Sequence, residues 1–230
     1  MPQKDVFIKL SESVADFYET YGTAFSYTRA FGWRWMKMIH DVLHPGMTLL
    51  DVGAGNSRLG SGLPEGVRYI AIEPSSSLRR DAMTRLAGQK DVEILEGGFP
   101  SLPVGVAVAD VTACIAVIHH IPTREAQRAA IHELARVTKT DGTAFVTAWN
   151  LRRREMFRTK TWLASWLRFT MVKGGEPGDV WIPWKSEVKA AQRFVHAFTM
   201  NEFASLFDPK EWTIIQKENN RNLLVVAKRR

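Results

Sequence analysis

The feature that most constrains the fold is a regular alternation, after Met47, of short apolar stretches with helical patterns. The stretch that begins at Met47 predicts a strand, a glycine-rich turn and a helix. The segments after it are, in chain order, VRYIAIE (strand), LRRDAMTRLA (helix), DVEILE (strand), DVTACIAVI (strand), EAQRAAIHELARV (helix) and GTAFVTAW (strand). This alternation predicts an α/β fold with a mostly parallel sheet and helices on both of its faces.

The last part of the chain follows a different pattern. EWTIIQKE and NLLVVAK are two strand candidates, and the segment Asn219-Asn220-Arg221 between them is a turn signal. We therefore expect the sheet to close with an antiparallel hairpin. With 230 residues, the chain is predicted to form a single domain over residues 1–230. A helical N-terminal region (11–43) and an insert (about 150–198) lie outside the alternation.

The composition excludes several kinds of site and location. Cys114 is the single cysteine, so the chain can form neither an intramolecular disulfide nor a cysteine-rich zinc site. The N-terminal stretch MPQKDVFIKLSESVADF lacks the apolar core of a signal peptide, and no apolar stretch has the length to span a bilayer. We therefore expect a cytoplasmic protein that has no membrane partner.

The charge is unevenly distributed. The formal net charge is +7, and the first part of the insert, LRRREMFRTKTWLASWLRFTMVK, mixes arginine and lysine with tryptophan and phenylalanine. Cations interleaved with aromatic rings are suited to phosphates and unstacked bases. The same pattern also fits an amphipathic helix whose aromatic side chains cover the sheet. Both interpretations remain open, and they are compatible with each other.

The stretch LLDVGAGNSRLG indicates a cofactor-binding turn. An apolar strand leads into Asp51, and Gly53 and Gly55 follow it, so a ligand can approach the backbone closely. The dinucleotide fingerprint would require a glycine where Arg58 stands, which argues against a nicotinamide or flavin cofactor. The next strand ends in Glu73, where a carboxylate can accept hydrogen bonds from ribose hydroxyls. Glu73 is otherwise an ordinary carboxylate at a strand end.

Two adjacent histidines, His119 and His120, end the stretch DVTACIAVIHH. Ligands of open parallel sheets bind at the carboxyl ends of the strands, so these side chains are placed near a site. No acid or cysteine follows them at ligand spacing, so we expect no metal site. Thr123 predicts an N-cap for the next helix. The histidines either support this turn or contact a substrate.

The pattern Asp-x-Gly-x-Gly from Asp51 to Gly55 resembles the first motif of class I S-adenosylmethionine-dependent methyltransferases. The resemblance implies a Rossmann-like fold and S-adenosylmethionine as the cofactor. Ser57 stands where many of these enzymes have a third glycine, and Gly98 stands where an aspartate usually meets adenine. Adenine contacts would then come from the backbone of residues 97–99. The implied cofactor-binding residues are Asp51, Gly53, Ala54, Gly55, Asn56, Glu73, Pro74, Gly98, Phe99, Ile115 and Ala116.

A closer resemblance covers nearly the whole chain. The stretches FYETYGTAFSYTRAFGW, IAVIHHIPTRE with IHELARV, DVWIPW and RFVHAF resemble, in this order, the transfer-RNA methyltransferases that esterify wobble 5-carboxymethyluridine. The resemblance implies methyl transfer to a carboxylate, tRNA as the partner, and possible pairing with a small zinc-binding activator protein. This sequence departs from the family at Cys114, where serine is common, and at Phe194 and Val195, where tyrosines are usual.

The resemblance also implies roles for individual residues. Arg29 is the first candidate to orient the carboxylate or a neighbouring phosphate, because a guanidinium binds either of them in a bidentate manner. The implied catalytic residues are Arg29, His119 and His196. The implied substrate-binding residues are Tyr18, Ser26, Arg29, Trp33, His120, Trp149, Trp184 and Arg193. Two other functions stay open: a small-molecule O- or N-methyltransferase, and a non-catalytic RNA-binding protein with a methyltransferase fold.

Overall fold

The computed structural model describes residues 3–27, 34–153, 176–185 and 190–230. Arg29 and Trp33 lie outside the described residues, as does the basic part of the insert from 154 to 175. Ser26 and Trp184 lie within described elements, but their side chains are not among those described. Of the helical region predicted from 11 to 43, the described part forms two helices, and the first of them begins at residue 3.

A seven-stranded sheet forms the centre of the fold. Its strands run in the order β3-β2-β1-β4-β5-β9-β8, and the neighbours from β3 to β5 pair in parallel. The final hairpin is antiparallel, and β9 inserts between β5 and β8. The predicted sheet and its closing hairpin are therefore confirmed. The strands are β1 (Thr48–Val52), β2 (Arg68–Ile72), β3 (Val92–Leu95), β4 (Ala109–Ile115), β5 (Thr138–Trp149), β8 (Trp212–Asn219) and β9 (Asn222–Arg229).

Alternating side chains of the strands build a core on each face of the sheet. In β1, Leu49 faces the cluster that contains Trp35 and Ile39, whereas Leu50 faces the cluster that contains Ile131. Successive residues of a strand point to opposite faces, so this alternation follows directly from the run of apolar residues. Helices cover both faces, as predicted. They are α1 (Gln3–Tyr27), α2 (Arg34–His40), α3 (Ser76–Arg85), α4 (Arg124–Val137) and α5 (Met200–Ala204).

Caps in the sequence explain where the central helices begin. Ser75 caps α3 by accepting a hydrogen bond from the Leu78 amide. Thr123 caps α4, as predicted, by accepting a hydrogen bond from the Ala126 amide. In β4, the side chain of Cys114 is fully buried. Burial raises the pKa of its thiol, so Cys114 is an unreactive core residue.

The helix predicted directly after the glycine-rich turn does not form. A single 3-10 turn, Arg58–Gly60, takes its place. Ser57 before it is left-handed, with a φ of 53°, which a right-handed helix cannot contain. The sequence GSGLPEG from 60 to 66 follows, and its glycines and proline disfavour helix continuation.

A small second sheet is built by the end of the insert. Strands β6 (Asp179–Lys185) and β7 (Ala190–His196) pair antiparallel, with Val180 opposite Val195. Val180 and Val195 pack on Trp149 at the end of β5, which fixes this hairpin beside the carboxyl edge of the main sheet. Among the described residues, no helix combines the length and the apolar composition that crossing a membrane requires.

Candidate active site

A cavity of about 670 Å³ opens at the carboxyl ends of β1, β2 and β4. Its floor comes from the loops after these strands, and α1 forms one of its walls. This is where ligands bind in open parallel sheets, and the volume suits a cofactor together with part of a substrate. The predicted cofactor residues Asp51, Gly53, Ala54, Gly55, Asn56, Glu73, Pro74, Gly98, Phe99, Ile115 and Ala116 all line it.

The turn after β1 exposes its backbone to the cavity. Gly53 has a φ of 70°, and a Cβ there would lie 2.3 Å from Cγ2 of Val117. Gly55 has a φ of 58°, and a Cβ there would have no atom within 4 Å, so it faces open space. Hydrogen bonds from the Gly53 and Ala54 amides to the Ile72 carbonyl fasten the turn to β2. The loop is therefore rigid where it is fastened and free of side chains where a ligand would lie.

Glu73 is oriented by backbone amides on both sides of the cavity. Its two carboxylate oxygens accept hydrogen bonds from the Gly55 amide at 2.8 Å and the Ser75 amide at 2.9 Å. Burial raises the pKa of Glu73, and these two hydrogen bonds oppose that rise. A carboxylate has about four lone-pair sites, so roughly two remain for other donors. This geometry fits the two hydroxyls of a ribose.

Asp51 is a buried acid next to this loop. Its Oδ2 accepts a hydrogen bond of 2.7 Å from the Tyr69 hydroxyl. Burial raises the pKa of Asp51 to about 7; the Tyr69 hydrogen bond acts against the rise, and the charge of Glu73 adds to it. A cationic ligand group nearby would stabilise the carboxylate and lower this pKa. Asp51 is therefore suited to the ammonium group of an amino-acid ligand.

The far end of the cavity can accept a flat ring. At Gly98, a Cβ would meet only the Pro74 ring, at 3.9 Å, so the backbone there is accessible. Pro74, Gly98 and Phe99 line this end, and no carboxylate side chain stands at position 98. Backbone groups and apolar side chains thus fit an adenine. Together with the ribose and ammonium positions, the residues present fit S-adenosylmethionine.

Tyr18 and His120 form a hydrogen-bonded pair on the cavity wall. The Tyr18 hydroxyl lies 2.8 Å from Nε2 of His120, and Nδ1 of His120 lies 3.0 Å from the Phe194 carbonyl oxygen. A carbonyl only accepts hydrogen bonds, so Nδ1 carries the proton. In the neutral ring Nε2 then accepts the proton of Tyr18, which fixes the direction of the tyrosine hydroxyl.

His119 lies behind this wall. Its side chain is fully buried and does not line the cavity. The ring lies 4.6 Å from Trp149 and 4.3 Å from His120, measured between centroids, and its Nδ1 is 3.4 Å from the Trp149 amide. This position supports the two cavity residues from behind. The role of His119 in catalysis stays a prediction.

Arg193 is a buried cation beside the same wall. Its guanidinium lies 4.4 Å from the Trp149 ring centroid and 5.1 Å from that of Phe17. Burial lowers the pKa of Arg193, and Tyr18 opposes that shift. Trp149 lines the cavity and Arg193 does not. Arg193 therefore fixes the aromatic wall, and its contact with substrate stays a prediction.

His196 lies in a buried ionic cluster outside the cavity. Its Nδ1 is 2.6 Å from Asp179, and its Nε2 is 3.2 Å from Glu202. Burial alone would lower the pKa of His196, but hydrogen bonds to the two acids outweigh it and raise the pKa to about 9. Glu202 also binds Arg124 at 2.7 Å, so the cluster joins the β6–β7 hairpin to α4 and α5. The catalytic role of His196 stays a prediction, and its contacts point to a structural role.

Of the α1 residues that line the cavity, sequence reasoning named only Tyr18. Apart from Tyr18, the lining residues of this helix are Ser11, Glu12, Val14 and Ala15. Their spacing of three and four residues marks one helix face, but no pattern indicates that this face covers the site. Within the described ranges, no group of three histidine, cysteine, aspartate or glutamate side chains could hold a metal ion.

Comparison with known families agrees with this geometry. Residues 50–146 match a family model described as a methyltransferase domain. The chain contains a class I S-adenosylmethionine-dependent methyltransferase domain. The cofactor expected from the Asp-x-Gly-x-Gly pattern is thereby confirmed as S-adenosylmethionine.

Relatives of this chain are distant. The tRNA (carboxymethyluridine(34)-5-O)-methyltransferase of Arabidopsis thaliana is 28% identical over 145 residues, which cover 63% of this chain and 34% of that protein. The chain thus spans about a third of that relative's length.

Solved structures share the fold of this chain. A SAM-dependent methyltransferase from Methanosarcina mazei has a TM-score of 0.67 and 20% identity over 84% of this chain and 96% of that one. A putative methyltransferase, solved in complex with the Haloferax volcanii Trm112 methyltransferase activator, has a TM-score of 0.63 and 15% identity, over 94% of this chain and 97% of that one.

Proposed function

We propose that the chain transfers the methyl group of S-adenosylmethionine to the carboxylate of 5-carboxymethyluridine at the wobble position of tRNA, forming a methyl ester. The observation that carries the proposal is the similarity to the Arabidopsis enzyme with that activity in its name. The net charge of +7 also favours a polyanionic substrate such as tRNA.

The site supports a reaction that needs little acid–base chemistry. A carboxylate is already ionised at neutral pH, so no base has to remove a proton from it. The bound cofactor supplies an electrophilic methyl group on a positively charged sulfur. The protein has to align the acceptor oxygen with that methyl group and to keep water away.

The described residues divide this task between two sides of the cavity. Glu73 and the accessible backbone of Gly55 would hold the ribose of the cofactor, and Asp51 would hold its ammonium group. On the acceptor side, Tyr18 is held in place by His120. Trp149 lines the cavity beside them, with its ring held between neighbouring side chains that include His119 and Arg193. Arg29, Ser26, Trp33 and Trp184 are proposed to complete the acceptor side.

A small zinc-binding activator protein is the proposed partner. The structural neighbour solved with the Trm112 activator motivates this proposal. The edge strands of the main sheet are β3 and β8, and either one can pair with a strand of another chain. In β3, Val92, Ile94 and Leu95 are only half-buried, so a partner there would cover apolar side chains.

The experiment uses labelled S-adenosylmethionine and tRNA that carries unesterified 5-carboxymethyluridine, with nucleoside mass spectrometry as the readout. It is run with and without a candidate activator, and Glu73→Gln serves as the cofactor-site control. A base-labile methyl ester at the wobble uridine supports the proposal. Cofactor binding without any product, even with the activator, contradicts it and favours a small-molecule acceptor. Absence of cofactor binding would favour a non-catalytic RNA-binding role.

A further inference from the structure

Helix α1 is attached to the rest of the protein on both sides of the cavity. Near its start, Leu10 and Val14 pack against Phe194 and Trp181 of the β6–β7 hairpin. Near its end, Gly22 touches α3 so closely that a Cβ there would lie 2.8 Å from Cγ of Leu78. The cavity-lining face of α1 lies between these two attachments. The helix therefore acts as a strap along the cavity.

Glu19 makes the polar contacts at the α3 attachment. Its Oε2 accepts hydrogen bonds from the Ser75 hydroxyl at 2.9 Å and the Ser76 amide at 2.8 Å. Its Oε1 accepts one from the Ser76 hydroxyl at 2.6 Å, and its backbone carbonyl accepts one from the Ser77 hydroxyl at 3.2 Å. We call this set of contacts the Glu19 clamp.

The charge of Glu19 suits this position. The hydroxyls of Ser76 and Ser75 lower the pKa of Glu19, so it is a carboxylate at neutral pH. The first turn of a helix attracts negative charge, yet α3 has no acidic residue in its own first turn. Glu19 supplies that missing charge from a different helix.

The clamp touches both halves of the active site. Ser75 gives its hydroxyl proton to Glu19 and its amide proton to Glu73, the acid placed for the ribose. On α1, the neighbouring residue Tyr18 binds His120 on the acceptor side. A shift of α1 away from α3 would therefore loosen the ribose acid and displace Tyr18.

We propose that Glu19 is a positioning residue that fastens α1 over the bound cofactor and sets how long S-adenosylmethionine and its product stay bound. The proposal uses the cofactor site alone, so it holds whatever the methyl acceptor is. Release of the product then requires α1 to move away from the start of α3, which breaks the Glu19 clamp.

Two substitutions weaken the attachment in different ways. Glu19→Ala removes the clamp, and Gly22→Ala pushes α1 away from Leu78 without a change of charge. Glu19→Ala is expected to speed dissociation of S-adenosylhomocysteine about tenfold, the size expected for loss of a helix-capping contact. Gly22→Ala is expected to speed the same dissociation because it displaces the helix. Glu19→Gln keeps an acceptor oxygen without the charge, so a smaller increase in the dissociation rate is expected. Asp16→Asn is the matched control, because Asp16 is an exposed acid on the same helix.

The experiment measures dissociation of S-adenosylhomocysteine by stopped-flow displacement and hydrogen exchange of residues 3–27 by mass spectrometry. In the wild type, the bound product should slow exchange in α1, and Glu19→Ala should lose this protection while the sheet keeps its own. Wild-type dissociation rates in Glu19→Ala and Gly22→Ala would overturn the proposal. So would faster exchange spread evenly over the sheet in both Glu19→Ala and Glu19→Gln, since that pattern means general destabilisation.

Steady-state kinetics separate positioning from simple structural support. The variants should raise KM for S-adenosylmethionine, and Glu19→Gln should recover part of that loss. No methyl acceptor is needed for the dissociation and exchange measurements. Failure of the Glu19 proposal is therefore distinguishable from failure of the proposed tRNA reaction.

Discussion

Asp51→Asn should make the stability of the protein less sensitive to a rise in pH from about 4 to above 7. Asp51 is 3% exposed, and its pKa is raised from 3.8 to about 7 by burial. The folded protein therefore binds a proton that the unfolded chain releases, and stability falls as pH rises from about 4 to about 7. Because a pKa difference of one is worth 1.36 kcal/mol, a rise of roughly three in the pKa of Asp51 corresponds to about 4 kcal/mol of lost stability above pH 7.

The size of the effect is the difference between the stability penalties at two pH values. At about pH 5 the unfolded chain has already lost this proton and the folded protein keeps it, which costs about 2 kcal/mol; at about pH 8.5 the full penalty of about 4 kcal/mol applies. Asparagine has no charge to bury, so the pH-dependent penalty is absent in Asp51→Asn. The free energy of unfolding of this variant, relative to that of wild type, should therefore rise by about 2 to 3 kcal/mol between about pH 5 and about pH 8.5. In a protein of this size that is a relative shift in Tm of roughly 5 to 10 °C.

The assay is urea unfolding of wild type and Asp51→Asn without cofactor at both pH values and one ionic strength. Asparagine can still accept the Tyr69 hydrogen bond, and any unsatisfied amide proton adds a cost that is the same at both pH values. Asp16→Asn, on the exposed face of α1, is the control and should show no such change. An equal stability difference between wild type and Asp51→Asn at both pH values would refute the reasoning.

Three further predictions concern other parts of the site. His196→Gln should remove a stabilising contribution of about 3 kcal/mol, because the pKa of His196 is raised from 6.5 to about 9. This contribution is complete below pH 6.5 and is lost as pH rises through 9. Urea unfolding of wild type and variant at these two pH values measures the difference in free energy of unfolding. Tyr18→Phe should leave affinity for S-adenosylhomocysteine near wild type in calorimetry but lower the rate of methyl transfer, because Tyr18 lies on the acceptor side; equal losses of both would contradict this assignment. Gly53→Ala should abolish S-adenosylhomocysteine binding in the same calorimetry, because its Cβ would lie 2.3 Å from Val117 on a backbone with a φ of 70°.

Local patterns in the sequence determine much of the fold. The apolar run before Asp51 predicts a strand, which is β1, and its residues Leu49 and Leu50 lie in separate cores on the two faces of the sheet. The turn at Asn219-Asn220-Arg221 predicts the final hairpin, because turn residues and flanking strands are adjacent in the sequence. The helix expected after Gly55 fails for an equally local reason, since Ser57 adopts a left-handed conformation that the pattern of apolar residues does not reveal.

Local patterns in the sequence do not reveal the long-range contacts in the site. The sequence indicates that Asp51 and Glu73 belong to the cofactor site, but their raised pKa values come from burial, and Asp51 also depends on Tyr69, 18 residues away. His119 and His120 are the same residue type at adjacent positions, so the sequence does not distinguish them. In the structure, His120 lines the cavity and His119 does not. The contacts that distinguish them are long-range: His120 contacts Tyr18, 102 residues away in the chain, whereas His119 packs on Trp149, 30 residues away.

The burial of Cys114 has a practical consequence for single-molecule work. The thiol lies inside β4 with no exposed surface, so maleimide reagents should leave the folded wild type unlabelled. A single cysteine introduced at an exposed site on α1, for example by Asp16→Cys, would then carry one fluorophore without any need to remove the native thiol. The native sequence is therefore suited to single-molecule fluorescence measurements of the proposed movement of α1 during cofactor exchange.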